Sequence, residues 1–423
     1  MNPPAVASSG SASPAAIERL NNGHPILEPN GQWWESGVTF NPAAVYLERS
    51  DKNDPIIAGL LGDEIPLADP RVADGVVAVH YRARPLKDPY CSWNRSFIGL
   101  AVYTPTLQML RRFEQPVMRP DDDPYAVDHL GVEDPRITRI DDVFYMVYCG
   151  VAKVPHHSAE TNGDGDGNGD GARNFDTHGY LCLASSRDLI HWERHGTPPG
   201  NLQCIHNKDG VLFPEKFAGR FWLLHRPVDA HETVKAIQLA WSNSLSGPWV
   251  NEGVILSAAP HPRATRTWVG AGSVPIALGG GRYLVLYHTG SWLNDRDREY
   301  VIDAAIVDLG RASLAGHNGE VVERRLNRLM VPQTPHELGA PVPDSVGNVL
   351  FPCGSYEYRG DIYILYGAAD TYVLAAKVNR RWLLDALEAS DETPARSAEI
   401  DRPAPKVEVN VAGAAAAAVS MPA

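Results

Sequence analysis

Five segments of the sequence share one pattern, in which an apolar or glycine-containing stretch leads to a proline. They read TFNPA at Pro42, VEDPR at Pro135, VLFPE at Pro214, GSVPI at Pro275 and VLFPC at Pro352. Each segment is followed by a turn and by further short apolar strands. Because the same unit recurs five times, the fold must be built from five copies of one small structure.

The strands that follow these segments are rich in aromatic and β-branched residues. The predicted second strands lie at 75–83, 141–148, 219–225, 281–288 and 360–367, and the predicted third strands at 97–103, 179–186, 236–242, 301–309 and 372–378. A unit of about four short strands repeated around an axis is typical of a propeller blade. The sequence therefore predicts an all-β fold, a five-bladed β-propeller. A pair of β-sandwiches is the competing fold, but it does not require one motif five times.

The predicted propeller domain covers residues 21–390. Residues 1–20 are predicted to be a disordered leader, and residues 391–423 a disordered tail rich in alanine and proline. An acidic, glycine-rich insertion at about 158–174 is predicted to be a flexible loop within the domain.

Composition and charge exclude several classes of function. The net charge of −13 argues against nucleic acid or an anionic membrane as a partner. No apolar run reaches the length of a membrane span, and the amino terminus lacks a secretory signal. The five cysteines are an odd number without a CxxC pair, so we expect reduced thiols in the cytoplasm and no zinc site. No motif requires a metal.

Polar residues on the innermost strands are the first candidates for chemistry, since these strands line the central channel of a propeller. Glu133 and Asp134 are adjacent on one such strand, and alternation predicts that they point to opposite faces. We interpret Glu133 and Arg136 mainly as partners in ion pairs between blades. Glu215, after Pro214, is a further carboxylate on a proline-marked segment.

Further polar residues lie near the ends of predicted strands, where blade symmetry could bring them to one rim. They are Arg82, Lys208, Arg226, His288 and Asp370. A carboxyl group beside several cationic side chains suits a reaction with a general acid and an anionic partner, because fixed cations bind phosphate oxygens. This combination favours phosphorolysis.

Several motifs together resemble those of glycoside hydrolase family 130. They are GVEDPRIT (131–138), NKDGVLFPEK (207–216), LLHRP (223–227), LVLYHTG (284–290) and LYGAAD (365–370). The resemblance runs from about residue 41 to about residue 378. The resemblance implies a five-bladed propeller and the activity of an inverting β-mannoside phosphorylase. The family also includes some β-1,2-mannosidases.

Residue roles follow from the resemblance at the matching positions. Asp134 corresponds to the proton donor, and it would have to stay protonated near neutral pH, which burial and Glu133 could favour. Lys208, Arg226 and His288 correspond to the phosphate site. The residues that correspond to the mannose site are Asn41, Arg82 and Asp370. Inorganic phosphate would be the co-substrate, with no cofactor and no metal, and the product would be α-mannose 1-phosphate.

Two other functions remain open on the same scaffold. One is an inverting β-mannosidase in which a carboxylate such as Glu215 activates water. Trp268 bears on this choice, since it stands where phosphorylases of the family often have a lysine. The other is a non-catalytic glycan-binding propeller, in which Asp134 would be structural. Linkage, acceptor sugar and assembly into a homo-oligomer are left open.

Overall fold

The computed structural model describes residues 17–154, 176–200, 202, 206–228, 235–294, 296–315, 321–342 and 345–390. The predicted insertion at 158–174, the predicted tail at 391–423 and most of the predicted leader lie outside these residues. None of the described helices is both long and apolar enough to cross a membrane.

Within the described residues, twenty-one strands form five antiparallel sheets arranged as a five-bladed β-propeller. In chain order they are β1 (Ile17–Arg19), β2 (Val38–Leu47), β3 (Val76–Arg84), β4 (Phe97–Tyr103), β5 (Met109–Arg112), β6 (Gly131–Ile140), β7 (Val143–Val154), β8 (Asp176–Ser186), β9 (Glu193–Gly196), β10 (Asn207–Leu212), β11 (Phe221–Pro227), β12 (Ile237–Ser242), β13 (Val250–Leu256), β14 (Arg266–Ala271), β15 (Ile276–Gly279), β16 (Arg282–Trp292), β17 (Arg298–Asp308), β18 (Val322–Met330), β19 (Leu350–Tyr358), β20 (Asp361–Ala368) and β21 (Tyr372–Asn379). The predicted fold class is confirmed.

Each blade is built from strands that are consecutive in the chain, with one exception. Blade 1 consists of β2 to β5, blade 2 of β6 to β9, blade 3 of β10 to β13 and blade 4 of β14 to β18. Blade 5 consists of β19 to β21 and is completed by β1 as its outermost strand. Strands β2, β6, β10, β14 and β19 are innermost. The predicted second and third strands of all five units match observed strands within a few residues.

The five prolines do not occupy equivalent positions in their blades, although the sequence pattern predicted that they do. Pro42 and Pro135 lie inside β2 and β6, four residues after the first residue of each strand. Pro214 follows the end of β10, and Pro275 lies between β14 and β15. The pattern of apolar residues before a proline identifies the five blades, but it does not give the position of the proline within the innermost strand.

Strand β1 closes the ring by pairing with the last strand, β21. Arg19 fastens β1, since its Nε donates to Glu337 Oε1 at 2.9 Å and its Nη1 donates to Gln333 Oε1 at 2.9 Å. Glu337 is fully buried. The predicted leader therefore ends too late, because Ile17–Arg19 belong to the propeller.

The part of the chain that the structure describes also has four α-helices outside the sheets: α1 (Asp54–Leu61), α2 (Leu309–Ala315), α3 (Pro335–Leu338) and α4 (Arg380–Ala389). Short 3-10 helices lie at Leu20–Gly23, Trp33–Glu35 and Pro70–Val72. Apolar side chains from neighbouring blades pack together in clusters between the sheets, as Val45 of β2 and Met146 of β7 do. Burial of these clusters holds the ring together.

The direction of the strands decides which loops meet at one face of the ring. All innermost strands start at the same face, and each second strand runs antiparallel and ends there. The connections between second and third strands, and those between blades, consequently surround one opening, which we call the site face.

Candidate active site

A β-bulge interrupts the innermost strand in blades 1, 2 and 3 at equivalent positions. The residue in the bulge has a left-handed backbone in each case, with φ of 47° at Asn41, 50° at Asp134 and 57° at Asp209. Asn and Asp tolerate this conformation better than other residues with a side chain. Pro42 and Pro135 follow two of them, and a proline cannot donate to the strand ladder. The local sequence thus turns three polar side chains toward the axis.

Asn41, Arg82 and Asp134 form one hydrogen-bonded group where blades 1 and 2 meet. Asn41 Nδ2 donates to Asp134 Oδ1 at 2.8 Å, and Arg82 Nη1 donates to the same oxygen at 3.2 Å. All three side chains are buried. The amide oxygen of Asn41 is buried and has no hydrogen-bond donor among the described residues. A polar group of a bound molecule could fill that position.

Glu133 contacts the same arginine as Asp134. Arg82 Nη2 donates to Glu133 Oε1 at 2.5 Å, and Ser96 Oγ donates to the same oxygen at 3.0 Å. The prediction that Glu133 and Asp134 point to opposite faces is wrong, because the bulge between Glu133 and Arg136 breaks the alternation of the strand. The interpretation of Glu133 as a partner in an ion pair between blades is confirmed.

A second buried cluster is centred on Asp209, which the sequence reasoning missed. Its carboxylate accepts from Arg226 Nε at 2.7 Å and from Arg136 Nη2 at 3.4 Å, and His288 Nε2 lies 3.7 Å away. Its cationic neighbours outweigh the effect of burial and hold the pKa of Asp209 well below its ordinary value. Asp209 precedes Gly210 just as Asp134 precedes Pro135, and this parallel was the signal available in the sequence.

Arg136 joins the two clusters. Besides Asp209 it contacts blade 4, where its Nε and Nη2 donate to the carbonyl oxygens of Gly272 and Ala271 at 3.2 and 3.0 Å. Its Nη1 donates to the carbonyl oxygen of Asp134 at 3.1 Å. The fully buried guanidinium ties blade 2 to blades 3 and 4 and fixes the backbone at Asp134, in line with its interpretation as an ion-pair residue between blades.

Lys208 and Arg226 lie directly opposite each other on β10 and β11. Like charges at opposed positions of a sheet repel each other. Asp209 supplies one negative charge beside them, but Arg136 draws on the same carboxylate. This cluster has the charge and the donors to bind an anion.

His288, on β16, lies beside the cluster centred on Asp209. It is fully buried, and neither ring nitrogen has a hydrogen-bond partner among the described residues. Burial, reinforced by Arg226, Arg136 and Lys208, lowers the pKa of His288 to about 3 despite the opposing effect of Asp209. The imidazole is therefore neutral and can donate one hydrogen bond to a ligand.

Asp370 follows β20 and approaches Arg82 from blade 5. Its backbone is also left-handed, with φ of 50°. Burial raises the pKa of Asp370 to about 6, although Arg82, Arg298 and Arg84 oppose that rise. This carboxyl group carries a proton for part of the time near neutral pH.

Asp134 has the opposite charge preference. Burial disfavours its charged form, but Arg82, Lys208 and Arg136, with the hydrogen bond from Asn41, outweigh burial and lower its pKa below 3.8. The expectation that Asp134 keeps its proton near neutral pH is therefore wrong for the protein without ligands. The cause is that three cations surround it.

Trp268 lies on β14, the innermost strand of blade 4. It lies opposite Gly290 on β16, where any larger residue would collide with the indole ring. Its ring packs against Tyr300 with 5.4 Å between the centroids. The position at which related phosphorylases often have a lysine thus contributes an aromatic surface instead of a cation.

Glu215 does not belong to the site. It is exposed in the turn between β10 and β11, at the far end of β10 from Asp209. Its Oε1 accepts from the hydroxyl group of Tyr283 at 3.1 Å. The interpretation of Glu215 as a carboxylate that activates water in the channel is wrong.

All seven residues predicted for the site lie at the site face. Asn41, Arg82 and Asp134 are in direct contact, and Asp370 is within electrostatic range of Arg82 and Asp134. The remaining three are grouped around Asp209: Lys208, Arg226 and His288. The structure thus brings the two predicted groups together on adjacent blades.

Comparisons with known proteins give the family to which this chain is similar. A family model for glycoside hydrolase family 130, described as β-1,4-mannooligosaccharide phosphorylase, matches residues 77–161 and 175–389. The 1,2-β-oligomannan phosphorylase of Thermoanaerobacter sp. (strain X514) is 29% identical over 364 residues, which cover 84% of this chain and 95% of the relative. The β-1,2-mannobiose phosphorylase of the same organism is 30% identical over 369 residues, covering 86% and 97%.

Solved structures of similar proteins share the fold. The β-1,2-mannobiose phosphorylase from Listeria innocua, in complex with β-1,2-mannobiose, superposes with a TM-score of 0.61 at 20% identity, covering 88% of this chain and 99% of the other. The match of the family model over most of the chain leads to one assignment: the chain belongs to glycoside hydrolase family 130.

Proposed function

We propose that this protein is an inverting phosphorylase that cleaves a terminal β-mannoside with inorganic phosphate and releases α-mannose 1-phosphate. Membership of the family and the two phosphorylases of Thermoanaerobacter support the proposal. The observation that carries it is the buried carboxyl group of Asp134 beside the cations Lys208 and Arg226 and the neutral imidazole of His288.

The sugar would bind between blades 1, 2 and 5. The free amide oxygen of Asn41 can accept a hydrogen bond from a sugar hydroxyl group, and Arg82 and Asp370 can contact further hydroxyl groups. Because Asn41 also donates to Asp134, sugar binding and orientation of the acid depend on the same side chain.

Phosphate would bind to Lys208, Arg226 and His288. A phosphate oxygen attacks the anomeric carbon while the bond from that carbon to the glycosidic oxygen breaks. Asp134 gives its proton to that oxygen, and the leaving sugar departs with a hydroxyl group. Attack from the face opposite the leaving group inverts the configuration. No base is needed, because phosphate itself is the nucleophile.

Bound phosphate would also supply the proton donor in its required state. The cations that lower the pKa of Asp134 include Lys208, which would contact phosphate. A dianion beside Lys208 offsets its charge, so the pKa of Asp134 rises when phosphate is bound. Asp134 would thus take up its proton when phosphate is bound and would be deprotonated in the free protein.

The test is an assay of the purified protein with β-1,2-mannobiose, β-1,4-mannobiose and mannosylglucose, each with and without phosphate. We expect mannose 1-phosphate only when phosphate is present. Both Thermoanaerobacter relatives are named for β-1,2-linked substrates, so β-1,2-mannobiose is the first substrate to use. Free mannose formed equally well without phosphate would establish a hydrolase, and binding without turnover would establish a glycan-binding protein.

A further inference from the structure

We infer that two exposed aromatic residues on the site face, Trp33 and Tyr90, form a shelf that binds the sugar units beyond the cleaved bond. We call this pair the aromatic shelf. The inference rests on the proposed function and extends it, since it assigns a binding site for a longer β-mannoside.

The shelf stands out from the rest of the surface. Trp33 is 39% exposed and Tyr90 is 77% exposed, and their rings are 5.4 Å apart at an angle of 78°. Adjacent aromatic side chains that are exposed to solvent often mark a binding site on a protein surface. Phe97 supports the shelf from below, with its ring 5.4 Å from that of Trp33.

Hydrogen bonds hold both parts of the shelf in place. Ser36 Oγ donates to the carbonyl oxygen of Trp33 at 2.9 Å and accepts from the backbone N–H of Leu86 at 3.2 Å. The buried carboxylate of Asp88 accepts from the backbone N–H of Tyr90 at 2.8 Å. The backbone that carries each ring is therefore held before a ligand arrives, so less entropy is lost on binding.

The position of the shelf connects it to the site. Trp33 lies in the connection from β1 to β2 and Tyr90 in that from β3 to β4, and both connections lie at the site face. The N–H of Gly37 donates to the carbonyl oxygen of Arg84 at 3.0 Å, and Trp33 is four residues before Gly37. The Cα atom of Trp33 is thus at most about 14 Å from that of Gly37, which contacts Arg84 at the end of β3.

The residues beneath the shelf are also connected to Arg82 and Glu133, next to Asp134. Phe97 follows Ser96, whose hydroxyl group accepts from Arg82 Nε at 3.0 Å and donates to Glu133. Phe97 and Ser96, which are adjacent and buried, therefore connect the shelf to Arg82 through the interior of blade 1.

The burial of Asp134 and Asn41 decides which part of the substrate reaches the shelf. Because both side chains are buried, we place the terminal mannose unit beside them, and the rest of the oligosaccharide has to leave through the opening. Aromatic rings pack against the C–H groups of a sugar ring, and such a surface needs no charge on its ligand. A neutral glycan chain is therefore the occupant that fits.

The experiment compares a disaccharide with a tetrasaccharide of the same linkage. Tyr90→Ala and Trp33→Ala should lower kcat/KM for the tetrasaccharide about tenfold and change that for the disaccharide less than about twofold. Met109→Ala, which removes a 44% exposed side chain at the start of β5, at the face opposite the site face, is the matched control and should change neither value.

Each result has one meaning. If the wild-type protein does not phosphorolyse any β-mannoside, the proposed function fails, whatever the shelf does. If the wild-type protein is active and the two shelf variants lose the same factor on both substrates, or lose nothing on either, the shelf is refuted. Thermal melting shows whether Trp33→Ala is folded, and Tyr90→Ala changes a side chain that is mostly in water.

Discussion

Asp134 and Asp370 lie on two sides of Arg82, yet their surroundings favour different charge states. The pKa of Asp134 is lowered, since three cations outweigh burial, whereas burial raises that of Asp370 to about 6. The two carboxyl groups therefore cannot be assigned roles from burial alone. Their roles can be separated by a substrate that needs no proton.

Asp134→Asn should reduce phosphorolysis of a mannobiose by at least about a hundredfold, because the leaving sugar then receives no proton. A nitrophenyl β-mannoside has a leaving group that needs no proton, so the variant should keep much of its activity on that substrate. Asp370→Asn should lose activity on both substrates, because it weakens sugar binding. Steady-state rates with both substrates check this. Equal losses for Asp134→Asn on the two substrates would contradict its role as the acid.

Asp209→Asn should raise the KM for phosphate about tenfold or more while changing the KM for the mannoside little. The carboxylate positions Arg226 through a hydrogen bond of 2.7 Å, and the amide would accept that bond more weakly. Asp209→Glu should restore part of the phosphate affinity. A purely structural role predicts equal changes in both KM values and a lower Tm, so kinetics and melting curves are measured together.

At the residue scale, the sequence predicted most of the site. The seven predicted residues are found at one face, because blade symmetry brings strand ends together. Asp209 was missed, and the facing of Glu133 and Asp134 was predicted wrongly. Both errors have one physical cause: a bulge with a left-handed residue breaks strand alternation, and simple alternation of side chains does not reveal it.

At the scale of elements, the strands were easier to predict than their register. Short runs of aromatic and β-branched residues between glycine and aspartate turns marked the second and third strands of every blade. Pro214 and Pro275 were misleading because prolines at strand ends and prolines in bulges look alike in sequence. β1 was missed because three residues give no periodic signal.

Arg19→Ala should lower the Tm clearly, whereas Glu18→Ala should leave it nearly unchanged. Arg19 donates to the fully buried Glu337, which would lose the partner that offsets its charge. The carboxylate of Glu18 is 61% exposed and pairs with Lys377 at 3.2 Å, a contact of small value. Differential scanning calorimetry of both variants checks this. Equal melting temperatures would show that β1 does not fasten blade 5.

At the scale of the whole molecule, buried titratable groups make stability depend on pH. Burial lowers the pKa of His80 and His225 to about 4 and that of His288 to about 3, from an ordinary value of 6.5. Their stabilising contribution is complete above pH 6.5 and is lost as the pH falls toward 4. Asp303 and Asp370, raised to about 6, act in the opposite sense between 6 and 3.8. The three histidines outweigh the two carboxyl groups.

The Tm should therefore fall between about pH 7 and about pH 4.5, because the unfolded chain binds more protons than the folded one in this range. His80→Gln should make this slope shallower, since it removes one group that takes up a proton on unfolding. Melting curves at several pH values, at constant ionic strength, provide the measurement. A Tm that rises on acidification would show that the histidines do not outweigh the two carboxyl groups.

The pairing of β1 with β21 has a consequence for synthesis in the cell. Strand β1 is synthesised before the other strands of the propeller, but it cannot dock until β21, made more than 350 residues later, has also emerged. Blades 1 to 4 can form in order as they appear, but the last joint between the two ends is made after translation has passed residue 379. In a nascent chain halted before that point, blade 5 is incomplete and the ring of blades is not closed.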